Sequence, residues 1–341
     1  MSVDHGQTEP NGGRAAVIGP DSLQDLRRAA VRATLAPSVH NTQPWRMVIE
    51  NGELALLADR SRQLHAVDPV GRQLVISCGC ALLNARASLA AAGYDDVLRM
   101  PAADRPELLA LVGMRHCDIA SSPLAVLDSF IEGRQTNRRH FDKGGVSEEI
   151  IEQLAQAAAA EGALLVPITR DEHRYALARL TEQADREQNA DPAYRAELRA
   201  WTSVAPGRLD GVPSDAVPNI DGDSGVEVPR GDIDAASVGH LPSAQRSRMN
   251  ECMLVLGTND DSPSAWLRAG EALERVLLEA TRYDLATGLF TQVVEVPQTR
   301  AALREELALG VFPQVVLRVG YAPKTPATRR RRLVDVISES E

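Results

Sequence analysis

Ten residues, Ala36-Pro37-Ser38-Val39-His40-Asn41-Thr42-Gln43-Pro44-Trp45, concentrate the chemistry-bearing side chains of this chain. Prolines at 37 and 44 disfavour helix between them. Ser38, Asn41 and Gln43 therefore fall on a short, stiff loop offering hydroxyl, amide and backbone N–H groups without anionic charge. That inventory suits a polar heterocycle with a phosphate-bearing tail. On spacing alone, a plain turn linking a helix to a strand is the stronger reading. About one hundred residues later comes Arg134-Gln135-Thr136-Asn137-Arg138-Arg139-His140-Phe141-Asp142. Guanidinium groups bind phosphate through forked, charge-assisted hydrogen bonds. A solvated basic turn is the competing reading. A third basic element, Arg329 to Arg332, lies near the C-terminus and reads by itself as a solvated tail.

The pattern Ala-Pro-Ser-x-x-Asn-x-Gln-Pro-Trp resembles the FMN-contacting segment of the nitroreductase family, in which two subunits share each flavin site. Arg134 to Arg138 resembles the Arg-x-Ser-x-Arg element that the other subunit supplies, with Thr136 in place of serine. The layout is most similar to the Acg-type branch of mycobacteria and other actinobacteria, over roughly residues 21–337. The resemblance implies an α+β nitroreductase-like fold of two fused halves, an intramolecular pseudo-dimer binding one FMN per chain. It places Ser38, Asn41, Gln43, Arg134, Thr136, Asn137 and Arg138 at the cofactor, with Arg139 an alternative to Arg138. Arg330 and Arg331 are the best matches for the basic residues that finish the phosphate site, their register within the four arginines left open. Gly288 to Glu295 resembles the segment passing the redox edge of the flavin, with a backbone N–H of Glu295 or Val296 near N5. The implied activity is two-electron reduction of a nitro- or quinone-like small aromatic acceptor. The alternative is a protein that stores or sequesters FMN with little NAD(P)H-driven turnover. The electron donor and acceptor are not written in the sequence.

Certain elements must position these groups. Asp21 caps an amphipathic helix that delivers the Ser38 loop. Trp45–Ile49 and Leu54–Ala58 read as strands around an Asn51-Gly52 turn. Gly71 to Ala92 reads as a buried helix ending at Gly93, with Gly79 explained by close packing. Val97–Met100 and Leu108–Val112 read as strands, and Leu124–Glu132 as a helix. Ser147 caps the next helix, which ends at Gly162. Ala163–Ile168, Met253–Gly257 and Val315–Tyr321 read as strands, the last being the final one. Helices are expected over Asp171–Gln188, Pro192–Trp201, Pro263–Asp284 and Gln298–Ala308. The helices Gln73–Ala92 and Trp266–Ala280 suggest an internal repeat. The division expected is 1–18 as a disordered lead-in, 19–133 as one half and 134–337 as the other. Residues 204–247 carry five prolines and six glycines. They read as a lid-like insertion standing where the second half's Ser-Asn loop should be, with Trp201 anchoring its entry.

Composition bounds the rest. The 341 residues are 44% hydrophobic and 25% charged, as in a globular protein with a sizeable core. The net charge of −10 argues against a nucleic-acid surface. No apolar run reads as membrane-spanning, so no membrane partner is expected. Four scattered cysteines without zinc spacing suggest buried thiols in a reducing cytoplasm and no metal. His40 and His116 read as structural histidines. Asp59 and Asp68, with Arg60, Arg62 and Arg72, read as a surface ion-pair cluster. No general acid, base or nucleophile stands out.

Overall fold

The computed structural model describes residues 20–99, 105–117, 122–138, 141–142, 144–202, 207–212 and 252–340. The expected lead-in 1–18, Arg139, and residues 204–206 and 213–247 of the expected lid lie outside the described residues.

The chain is an α+β protein with two antiparallel-dominated sheets and two long helices between them. The first half runs α1 (Pro20–Ala33), β1 (Trp45–Glu50), β2 (Glu53–Ala58), α2 (Arg72–Ala91), β3 (Tyr94–Arg99) and β4 (Leu108–His116). Asn51 and Gly52 both have positive φ, which makes the two-residue turn that joins β1 to β2. The second half runs α3 (Glu148–Ala160), β5 (Leu164–Pro167), α4 (Asp171–Ala190), α5 (Pro192–Thr202), β6 (Cys252–Thr258), α6 (Pro263–Arg282), β7 (Ala286–Leu289), α7 (Gln292–Glu295), α8 (Pro297–Glu306) and β8 (Phe312–Gly320). A last strand, β9 (Ile337–Glu339), runs parallel to β1, so the C-terminal arm crosses to the first sheet.

The two halves share a plan. The first sheet is ordered β3-β4-β2-β1-β9, and the second, read the same way, β7-β8-β6-β5. Helices α2 and α6 occupy matching places and cross through backbone contact. A Cβ at Gly79 would strike the carbonyl oxygen of Leu267, and one at Gly270 that of Ile76. Glycine is required at both positions because each helix presses its backbone into the other. Ile76 to Gly79 and Leu267 to Gly270 are the same step along the two helices, so this contact marks a pseudo-two-fold axis. The core around it is built from leucine, alanine and valine of both halves.

Four expectations change. Leu124–Glu132 is not an α-helix; a short 3-10 stretch, Ala125–Phe130, stands there. Val315–Tyr321 is not the last strand, because β9 follows. Helix α2 is long and apolar enough to cross a membrane, with a mean hydropathy of 1.5 over its best 18-residue window, but 89% of that window is buried inside the protein. The 204–247 stretch does not stand in place of the missing loop. By strand order it falls, with α4 and α5, between β5 and β6, where the first half has only Asn51-Gly52. The counterpart of the Ser38 loop is the Glu161–Ala163 link between α3 and β5, a turn closed by Gly162 at positive φ.

Candidate functional site

One elongated cavity forms where the two halves meet. Pro37 to Asn41 line it from the first half, with Gln73, Ile76, Ser77 and Cys80 of α2. The second half contributes Arg134, Thr136, Asn137 and Arg138, then Gly288 to Gln292, Glu295 and Arg318. Thr328 and Arg330 reach it from the C-terminal arm, and Tyr194 and Leu198 from α5. Of the residues singled out in the sequence, Ser38, Asn41, Arg134, Thr136, Asn137, Arg138, Glu295 and Arg330 line this one space, while Gln43, Val296 and Arg331 do not.

The Ser38 loop is held in an unusual shape. His40, Asn41 and Gln43 have φ of 45°, 54° and 50°, a left-handed region that side chains disfavour. Tertiary bonds hold it there. Ser38 Oγ accepts from the Gln43 N–H at 2.9 Å, and Ser77 Oγ from the Val39 N–H at 3.2 Å. Asn41 Nδ2 donates to the carbonyls of Gly211 and Arg329, at 3.0 and 3.2 Å. Gln43 faces away from the cavity and ties three segments together. Its Nε2 donates to the carbonyls of Asn41 and Leu209, and its Oε1 accepts from the Arg331 N–H at 2.7 Å.

Arg134, Arg138 and Arg330 bring positive charge to the cavity. Arg134 is 2% exposed and faces the fully buried Glu274 at 3.4 Å. Burial pushes the Glu274 carboxyl up to about 7, against the pull of Arg134. Arg134 Nε is turned to the Glu274 carboxylate, while Nη1 has no hydrogen-bond partner, so the site holds one buried donor that an anion could take. Arg330 Nε donates to the Thr34 carbonyl and Nη2 to those of Leu35 and Ala36, and Nη1 reaches Asn41 Oδ1 at 3.3 Å. It thereby fixes the end of α1, and burial together with repulsion from Arg134 lowers its pKa to about 10. Arg331 instead donates to the Gln43 carbonyl and pairs with Asp59. The Asn137 N–H donates to the Thr287 carbonyl, and its amide to the Pro323 carbonyl. Asn137 thus clamps the arginine element to β7.

Other readings are revised by burial. Glu295 and Val296 spend their backbone N–H groups on the carbonyls of Thr291 and Gln292, because α7 forms a helical turn there. Neither N–H is available to a ligand, and Phe290 and Thr291 are the members of that segment at the cavity wall. His40 is not a satisfied structural residue. It lines the cavity, its Nδ1 has no partner, and burial plus the charge of Arg138 lowers its pKa to about 4. His116 stacks on Tyr94, 4.6 Å between ring centres. Asp68 and Arg72 are buried rather than part of a surface cluster. Asp68 accepts from the Leu74 N–H at the start of α2, and Arg72 bonds Gln314 and the Val294 carbonyl. Cys78 and Cys80 diverge as helical spacing requires, Cys80 to the cavity and Cys78 to the Pro44 carbonyl. All four cysteines are free thiols. Among the described residues no cluster of His, Cys, Asp or Glu could hold a metal ion.

Sequence reasoning missed Gln73, Tyr194, Leu198 and Arg318. Gln73, Tyr194 and Leu198 sit in helical patterns that read as core. Arg318 lies in an apolar strand, where its guanidinium covers Phe141 at 4.0 Å and Phe290 at 5.2 Å.

No family model matches the chain. A Mycobacterium tuberculosis protein provisionally named NAD(P)H nitroreductase Rv3131 is 33% identical over 328 residues, covering 94% of this chain and 93% of that protein. The chain belongs to the nitroreductase family. A second family member from the same organism, provisionally named NAD(P)H nitroreductase acg, is 31% identical over 325 residues, with 93% of this chain and 97% of that protein covered. A solved structure from Anabaena variabilis, provisionally described as a nitroreductase, aligns over 93% of each chain at 8% identity with a TM-score of 0.41. In this family member the Ser-Asn loop and the arginine element, far apart in sequence, line one cavity.

Proposed function

We propose that this protein is an FMN-binding, nitroreductase-like oxidoreductase that holds one flavin per chain and reduces nitro- or quinone-like acceptors. The observation that carries this reading is the convergence of Arg134, Arg138 and Arg330, from two separate segments, with the Ser38 loop on a single cavity. These arginines suit a phosphate dianion. Ile76, Leu198, Leu289 and Phe290 on the cavity wall offer the apolar surface on which a flat ring system packs. The unpartnered Arg134 Nη1 fits the phosphate group of FMN. Bound FMN would supply the electron transfer. The chain's part is to neutralise phosphate, orient the ring and keep water out. The relatives' names make a reduced nicotinamide the donor to try first. The four free thiols go with a reducing, cytoplasmic setting.

One flavin per chain is supported by the residues that stand at the second half's counterpart of the cavity. Glu271 on α6 matches Cys80 on α2, and Glu161 stands on the link that matches the Ser38 loop. Arg86 bonds Asp96 at 2.9 Å and both Glu161 and Glu271 at 2.7 Å, and Arg275 bonds Glu161 at 2.6 Å. A half-buried ion-pair network thus takes the space. Released-flavin analysis of the purified protein should give one FMN per chain. Two per chain, or a colourless protein that takes up no FMN, would reject the reading.

A specific feature favours flavin storage over rapid turnover. Tyr194 and Leu198 of α5 are buried at the cavity wall, and Glu197 accepts from the N–H groups of Ala66 and Val67, both at 3.0 Å. Trp201, at the end of α5, lies between Arg62 and Arg208, 5.2 and 4.9 Å from their guanidinium carbons. Helix α5 is thereby pinned to the first half as a roof. Glu197→Ala should release it, raising the rate of flavin bleaching by NADH or NADPH about five-fold or more, the equivalent of about 1 kcal/mol. FMN affinity should weaken by a smaller factor, because the arginines at the phosphate are untouched while Leu198 at the wall is loosened. Fast bleaching in the unaltered protein, unchanged in Glu197→Ala, would favour an ordinary open site.

A further inference from the structure

We propose that Gln73 recognises a ring carbonyl of the molecule bound in the cavity and so fixes its orientation. This rests on the FMN reading above.

Gln73 is in the first turn of α2, is 4% exposed and lines the cavity. Its Nε2 is buried and has no hydrogen-bond partner. The polar groups around it are committed. Ser77 Oγ donates to the Gln73 carbonyl at 2.7 Å and accepts from the Val39 N–H. Glu295 takes the Gln188 amide at 2.7 Å, and Gln292 reaches Asp185 at 3.4 Å. The start of α2 is closed by Asp68, which accepts from the Leu74 N–H at 2.9 Å. None of these accepts from the Gln73 amide. A buried donor without an acceptor is costly, and a glutamine among Ile76, Leu198 and Phe290 is a poor choice for mere packing. The missing partner is an acceptor atom on the ligand. On a flat conjugated ligand whose phosphate is held by the arginines, the strong ring acceptor is a carbonyl oxygen. Two sources share that chemistry: a pyrimidine carbonyl of the flavin ring, and a carbonyl of a quinone-type acceptor.

The test uses Gln73→Leu, which removes the donor at similar volume, and Gln73→Glu, which keeps the shape but offers no N–H. FMN affinity is measured by fluorescence titration of flavin-stripped protein. Steady-state KM is measured on loaded protein for a naphthoquinone and for ferricyanide, which has no carbonyl. A flavin carbonyl predicts FMN affinity about five- to ten-fold weaker in both variants, a shifted visible flavin band and unchanged acceptor KM. An acceptor carbonyl predicts unchanged FMN affinity and a quinone KM raised about five- to ten-fold, with ferricyanide unaffected. If folded variants of unchanged melting temperature move none of these, the assignment is wrong while the FMN reading stands. If the unaltered protein takes up no FMN, the FMN reading fails, and this assignment with it.

Discussion

Arg138→Ala is expected to weaken FMN binding about ten- to a hundred-fold while leaving riboflavin binding nearly unchanged. Arg138 lines the cavity on the element that Asn137 clamps to β7, so its position is set by the backbone rather than by the ligand. Its charge already acts on His40, helping to hold that imidazole neutral. A hydrogen bond between an arginine and a phosphate is charge-assisted, and its loss costs about 1.5–3 kcal/mol, which is the expected factor. Riboflavin keeps the ring and the ribityl chain but lacks the phosphate, so it isolates the contribution. The wild-type preference for FMN over riboflavin should also shrink as salt rises, because part of it is Coulombic. Titration of both ligands against both proteins checks this. An equal loss for the two would remove Arg138 from the phosphate and return it to a structural role.

Much of this arrangement was legible in the sequence because it is written in local chemistry. Pro37 and Pro44 confine the Ser38 loop, and the helix before it and the strand after it follow from hydrophobic period. The glycine at 79 signals close packing, and the structure puts the Leu267 carbonyl against it. What stayed hidden depends on long-range placement. Arg330 and Arg331 are neighbours in an identical run, yet one enters the cavity and the other pairs with Asp59, because successive side chains of the extended arm point to opposite sides. Strand β9 is three residues long and gains its place only by pairing with β1. Burial of Asp68 and Arg72 follows from the packing of α2 against the second half, which no local pattern encodes. The link Glu161–Ala163 shows as the counterpart of the Ser38 loop only once the two strand orders are laid side by side. Gln73 and Tyr194 occupy positions that helical spacing assigns to the core, and the core is indeed around them; the cavity is a gap within it.

The pair Arg134–Glu274 should carry the largest stability effect in the molecule, and a strongly pH-dependent one. Arg134→Met removes the nearest cation and leaves a fully buried carboxyl with only the Asn84 amide and the weaker pull of Arg330. Breaking a buried pair from one side typically costs about 3–5 kcal/mol. Here the cost depends on protonation. In the native protein burial already lifts Glu274 to about 7, from an ordinary value of 4.5, and Arg134 works against that lift. Without Arg134 the folded-state pKa rises further, while that of the unfolded chain stays put. The folded state then binds one more proton than the unfolded state from about pH 4.5 up to the new folded pKa. Stability must fall with rising pH across that window, by up to about 1.4 kcal/mol per unit. Near pH 5 the carboxyl is protonated in the fold and the variant should lose little beyond the packing of the arginine stem. The native Glu274 itself titrates near 7, so the charge-dependent part of the deficit opens only above that pH and reaches about 1.4 kcal/mol at pH 8. Glu274→Gln combined with Arg134→Met removes the titrating group, so the double variant should be flatter with pH and more stable than Arg134→Met at pH 8. Urea denaturation of the flavin-free proteins at pH 5 and pH 8 reads this directly. A deficit in Arg134→Met that is the same at both pH values would mean that Glu274 does not ionise in the fold, and that Arg134 is held there for the cavity rather than for its partner.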